Sequence, residues 1–203
     1  IINNDFESKI INKRIDSLSN FSKAEWCFPV VAYQNRIKNK HDLTWDDFSE
    51  FIVLLEKVYM HGQFIGLNKA KREYVCYSAV KSINLGKTKE EIKKVITESS
   101  DNEEFFKSLD DDFYKNNSSL RKKLTRATLL RIDQELSDDS VLKKYTGSVT
   151  IEHVLPQKLG GDYWKDRYSK EEHGLWVNKV GNLALLSSSM NSSAKNYSFD
   201  EKK

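Results

Sequence analysis

The sequence predicts a mainly α fold, with a helical part over residues 1–147 followed by a small strand–strand–helix (ββα) motif over residues 148–203. Three observations carry that expectation. Through most of the first part, apolar residues recur at the i, i+3, i+4, i+7 spacing of a helix that buries one face. At Ser148 the period changes, and Val149 and Ile151 alternate with Thr150 and Glu152 as a half-buried strand does. A second apolar run, Val180 to Leu186, then leads into serines that can cap a short helix carrying Met190, Asn191, Ala194 and Lys195.

Taken in order, Glu25 to Ile37 reads as helical but contains Pro29, so a boundary or kink is expected there. Thr44 to Asp47 offers a capping-box pattern ahead of Phe48, Phe51, Ile52, Leu55, Val58 and Tyr59, with Gly62 and Gly66 expected to break the pattern. Lys69 to Leu85 reads as a second helix with Cys76, Ala79, Val80 and Ile83 inward and Gly86 as its stop. Thr88 and Glu91 form another capping box before Ile92, Val95 and Ile96, and a further helix after Asp101 turns Phe105, Phe106, Leu109 and Phe113 inward. The longest segment starts near Ser118 or Ser119 and runs to about Leu136, burying Leu120, Leu124, Ala127, Leu129, Ile132 and Leu136. Its opposite side carries Arg121, Lys122, Lys123, Arg126 and Arg131, either as a solvated face or as one that tracks phosphates. Asp138 to Gly147, polar and ending in glycine, reads as a hinge. Lys158 to Lys179 is a long connection expected to pack as an irregular flap.

Composition bounds the function. With 33 basic against 30 acidic residues, the net charge of +3 attracts polyanions weakly, so any nucleic-acid contact has to come from local patches. Cys27 and Cys76 stand far apart with no C-x-x-C pair, which suits buried thiols better than a disulfide or a zinc knuckle. No apolar run of about 18 residues and no signal peptide occur, so a cytoplasmic protein without membrane contact is expected. The start at Ile1 and the stop at Lys203 suggest a fragment of something longer.

The chemistry concentrates in the last third. Cleaving a phosphodiester needs a base to activate water and a divalent cation to neutralise charge on the phosphoryl oxygens and the departing 3′ oxygen. A neutral imidazole suits the first task, which falls to His153. Carboxylate and amide oxygens suit Mg²⁺ or Mn²⁺, an ion that keeps several waters and needs few protein ligands; Glu152 and Asn191 are the candidates. Adjacent strand residues face opposite ways, so Glu152 and His153 can serve one site only if the strand bends or ends between them, which Pro156 makes plausible. Asn182 is better placed to tie the connecting loop and orient the imidazole than to touch the ion. Lys179 and Lys195 flank the motif as candidate DNA contacts, and Asn196 is either a supporting residue or a helix-surface amide.

These residues form a pattern. The stretch Ile151 to Gln157 (I-E-H-V-L-P-Q), the stretch Gly181 to Leu186 (G-N-L-A-L-L), the pair Asn191 and Asn196, and the pair Phe199 and Lys202 together resemble the HNH or His-Me finger nucleases. Among these they look most like the C-terminal nuclease domain of the GmrSD family of modification-dependent restriction enzymes. The resemblance implies a ββα-metal fold, with His153 as general base, Glu152 and Asn191 on the metal, and Asn182 as the middle, structural asparagine. It also implies double-stranded DNA as substrate, including modified or phage DNA, and an N-terminal nucleotide-binding sensor domain or subunit. No G-x-x-x-x-G-K-[ST] loop occurs, so that sensing activity is expected outside this chain.

Blander readings stand beside these. An isolated Glu-His pair is more often a strand-end accident than a site. His173 reads as a solvent-exposed loop residue, and helix-end or surface roles suffice for His41 and His61. Trp164 and Trp176 can stack on bases, yet packing the flap is the more economical use. From Thr146 to Lys203 there are eight basic and seven acidic residues, a net of +1, so the motif alone is expected to bind DNA weakly. The alternative function is a non-catalytic DNA-binding or protein-docking module that keeps the finger fold.

Overall fold

In unit 1, residues 1–108, the organising element is a 20-residue helix, α3 (Trp45–Phe64), whose inner face is apolar through Phe48, Phe51, Ile52 and Leu55 and also buries Glu56 and His61. The structure is a computed structural model that describes residues 5–21, 24–98, 100, 102–110, 113–114, 119–137, 149–188, 190 and 197–202. The helix starts where Thr44 Oγ1 accepts from Asp47 N at 3.1 Å and the Asp47 carboxylate accepts from Thr44 N at 2.9 Å. That reciprocal box satisfies two of the amides that a helix start leaves open. Phe48, Phe51, Ile52 and Leu55 are then shut away from solvent. Tyr33 of α2 (Cys27–Lys40) lies 4.5 Å from Phe51 between ring centroids.

Helix α3 does not break at Gly62 but continues to Phe64. The glycine serves a close approach instead: Leu67 Cδ1 comes within 2.9 Å of where a Cβ on Gly62 would sit. Of the boundary or kink expected at Pro29, the boundary forms: α2 begins at Cys27, and the proline introduces no kink. It occupies the first turn of α2, where a missing N–H breaks no helical hydrogen bond. Against these two helices pack α1 (Asp5–Ser19), α4 (Lys69–Asn84) and α5 (Lys89–Thr97), the last with its own Thr88–Glu91 capping box. In α6 (Asn102–Asp110) the inward side is narrower than the periodicity suggests: Phe105 stacks on His61 at 3.8 Å, whereas Phe106 is exposed. His61 is therefore a core residue, bonded to the Ser100 hydroxyl at 3.0 Å, and burial together with the Lys57 charge pushes its pKa down.

Two buried polar clusters fasten the unit. The Arg36 guanidinium grips both oxygens of Asp42 and donates to the carbonyls of Ile83 and Lys87 at 3.2 and 2.7 Å, which ties α2 to the end of α4. Glu25 accepts from the Tyr59 hydroxyl at 2.8 Å and pairs with Arg72 at 3.4 Å. Burial works against the Glu25 carboxylate, but its own backbone amide, Tyr59 and Arg72 outweigh that and hold its pKa below the ordinary 4.5. A carboxyl depressed by folding contributes stability that is present above its unfolded value and is lost as pH falls through its folded value. Glu25→Gln is thus expected to lower the unfolding midpoint at about pH 7 and to narrow the gap to wild type at about pH 3. Denaturant titrations at both pH values check this, and an equal gap at both would refute the linkage.

Unit 2, residues 109–203, contains α7 (Ser119–Leu136) and an antiparallel pair of strands, β1 (Val149–His153) and β2 (Leu183–Ser187). The compact units divide after Ser108, ahead of α7, and α7 packs on β2. A two-stranded ribbon is marginal alone, and this helix covers it. The buried side of α7 consists of Leu124, Thr125, Ala127, Thr128, Leu129 and Leu130, while Leu120, Ile132 and Leu136 are exposed. Two threonines join the inner face because their hydroxyls bond backward along the helix, Thr125 to the Arg121 carbonyl at 2.8 Å and Thr128 to the Leu124 carbonyl at 2.9 Å. On the basic side, Arg131 is paired with Glu135 one turn further on.

The connection between the strands is not an irregular flap. It forms α8 (Asp162–Lys165), α9 (Lys170–Trp176) and a 3₁₀ turn (Val180–Asn182), so the second strand starts at Leu183, three residues later than Val180. A capping box from Ser169 and Glu172 starts α9, and Trp164 of α8 is buried with its Nε1 donating to the Tyr197 carbonyl at 2.9 Å. Trp176, by contrast, is exposed. A last turn, α10 (Phe199–Lys202), closes the described chain. The hinge expected over residues 138–147 and the helix expected through Asn191, Ala194 and Lys195 lie outside the described residues. No helix among the described residues is long and apolar enough to cross a membrane.

Candidate active site

The β ladder sets the geometry. Glu152 pairs with Ala184 and His153 with Leu183, so the strand runs through both residues and stops after His153, not between them. Alternation then puts Val149, Ile151 and His153 on one face and Thr150 and Glu152 on the other. Burial agrees: His153 is 7% exposed, whereas Glu152 is half-buried. The two candidates are chain neighbours that the ribbon directs to opposite sides.

Hydrogen bonds from two side chains hold the segment from Val154 to Pro156. Asn182 Oδ1 accepts from Leu155 N at 2.6 Å, and its Nδ2 donates to the carbonyls of Leu155 at 3.0 Å and Val177 at 2.9 Å. The Asn182 carbonyl takes the Val154 amide at 3.0 Å. One residue thereby prolongs the strand pairing up to the point where Pro156 ends it, and links that end to the end of α9. His173, half-buried on α9, bonds the Pro156 carbonyl through Nε2 at 2.8 Å. A carbonyl only accepts, so that nitrogen carries the proton. His173 is thus not the solvent-exposed loop residue that its sequence context suggests, because the folding of the connection into α9 brings it across to the strand end.

The buried face of His153 meets Tyr114, edge to face at 4.7 Å between ring centroids. Lys122 Nζ sits 5.8 Å from the same Tyr114 ring, within cation–π range. Sequence reasoning misses Tyr114, and no local signal marks it. It lies in the short stretch between α6 and α7 and reaches His153 only through tertiary packing. Of the other candidates, Lys179 is half-buried at the start of the 3₁₀ turn. Asn191, Lys195 and Asn196 are outside the described residues.

Among the described residues, no three of His, Cys, Asp and Glu gather into a metal-binding group. Glu152 supplies a hard oxygen donor, of the kind that suits a cation which keeps most of its waters.

The same part of the chain is the part that known proteins share. The model of the GmrSD restriction endonucleases, C-terminal domain, matches residues 98–203. The chain belongs to the GmrSD restriction endonuclease family. The matched span contains the whole β1–β2 ribbon, the Asn182 clasp, His173 and Tyr114, so the family's nuclease-type function, with DNA as substrate, belongs to the part of the chain that carries this site. No curated protein and no solved structure gives a significant match.

Proposed function

We propose that the second unit of this GmrSD-family chain is an HNH-type, His-Me finger DNA endonuclease with a ββα-metal site, acting on modified or phage double-stranded DNA in the cytoplasm. The observation that supports it best is the clasp: Asn182 and His173 fix the three residues after His153, which pre-organises the imidazole at the strand end.

In this reading His153 is the general base. It takes a proton from water as the water oxygen attacks phosphorus; the bond from phosphorus to the 3′ oxygen breaks, that oxygen is protonated from solvent, and the new end carries a 5′-phosphate. Glu152 and Asn191 hold Mg²⁺ or Mn²⁺, which supplies charge neutralisation for the phosphoryl oxygens. Glu152 then serves from the strand's other face. Asn182 positions the loop, while Lys179, Lys195 and Asn196 contact DNA. A nucleotide-binding sensor domain or subunit supplies recognition of the modification.

The test is relaxation of a supercoiled plasmid. Cutting is expected with Mg²⁺ or Mn²⁺ and not with EDTA, and Glu152→Gln is expected to slow it about 100-fold or more at fixed metal and to raise the metal concentration needed. Cutting that persists in EDTA, or a Glu152→Gln protein with wild-type metal dependence, would remove Glu152 from the metal.

A further inference from the structure

We infer that the outer face of α4, in unit 1, is a binding platform for single-stranded nucleic acid. Two of its aromatic side chains point outward: Tyr74 is 71% and Tyr77 is 64% exposed. They are three residues apart, hence neighbours on the helix surface. Each borders a groove. Tyr74 walls one of about 280 Å³ shared with Ser78, Lys81, Ser82, Val95 and Glu98. Tyr77 walls another of about 290 Å³ with Glu25, Phe28, Glu73, Cys76 and Val80.

Charge selects the occupant. Helix α4 carries Lys69, Lys71, Arg72 and Lys81 against Glu73 alone, a net of +3 that equals the excess of the entire chain. The acids around the grooves already have cations: Glu73 has Lys69 at 3.4 Å, Glu98 has Lys94 at 3.9 Å, and Glu25 has Arg72 at 3.4 Å. Lys71 and Lys81 have no carboxylate within ion-pair distance among the described residues. Exposed rings between uncompensated lysines are what a polyanion with accessible π-faces requires. A duplex hides its base faces in the stack, whereas a single strand offers them. Both grooves fall just under the roughly 300 Å³ at which small-molecule sites begin, and each has room for a single base. This platform stands independently of the nuclease assignment.

The experiment is fluorescence anisotropy on the intact 203-residue chain in EDTA, with a labelled thymidine oligonucleotide of about 20 nucleotides and a duplex of equal length. Wild type is expected to bind the single strand more tightly than the duplex. The Tyr74→Ala/Tyr77→Ala and Lys71→Glu/Lys81→Glu proteins are expected to lose about tenfold or more in single-strand affinity, while Tyr74→Phe/Tyr77→Phe, which keeps the rings, retains it. His153→Ala is expected to bind the single strand as wild type does, which separates this surface from the candidate active site. Circular dichroism confirms that these surface variants fold. Single-strand binding no tighter than duplex binding, unchanged affinity in both double variants, or an aromatic-specific loss that addition of salt leaves untouched, as for an apolar protein-docking face, would overturn the proposal.

Discussion

His153→Ala is expected to slow DNA cleavage by about 10²–10⁴-fold, the usual contribution of a positioned general base, with DNA affinity nearly unchanged. An imidazole at the end of a β-branched strand is chemically suited to activating water, and the fold seats that ring in a defined place. Its side is covered by Tyr114 and its strand end is fixed by Asn182 and His173. Because the ring is buried, alanine also removes packing, so His153→Gln is the companion variant: it keeps most of the volume but not the basicity. Both are expected to lose activity together. Cleavage near the wild-type rate in either would sink His153 as the base, and melting curves show whether the loss is chemical or structural.

For Asn182→Ala the expected effect is on stability first and cleavage second. Three hydrogen bonds disappear, to Leu155 N, Leu155 O and Val177 O. Each contributes about 1 kcal/mol net, and more where a partner is left buried without a replacement, so a loss of about 2–4 kcal/mol in the second unit is expected. Asn182→Asp is the sharper comparison. It keeps an acceptor for Leu155 N but sets a carboxylate against two carbonyl oxygens that need a donor, so it is expected to be no better than alanine. The free loop should also misplace His153, lowering the rate at saturating DNA more than it weakens binding. Unfolding followed through the tryptophans of the second unit, Trp164 and Trp176, measures the first effect, and single-turnover cleavage the second. An Asn182→Asp protein as stable as wild type would mean that the amide does not hold the loop.

Much of the helical framework is legible because its causes are local. The Thr44–Asp47 and Thr88–Glu91 boxes, the apolar stripe from Phe48 to Tyr59 and the stop at Gly86, with its φ of +74°, depend on residues within one or two turns of each other. The same holds for the strand at Val149 to His153, where alternation alone marks the element. Local pattern misleads where side-chain packing decides. Gly62 stays helical with Leu67 folded back on it. Leu120 and Leu136 are exposed because α7 gives its inner face to threonines as well as leucines.

The candidate site divides in the same way. The sequence by itself determined which residues are the candidates for the chemistry, Glu152, His153, Asn182 and Asn191, since chemical type and order along the chain are written there. It also determined that a proline would end the strand beside them. Only the tertiary structure decided that the strand pairs through Glu152 and His153 without ending between them, that His173 reaches the Pro156 carbonyl, and that Tyr114 covers the imidazole. The physical reason is that facing and covering are set by strand register and by packing between elements far apart in the chain, terms that no local pattern contains.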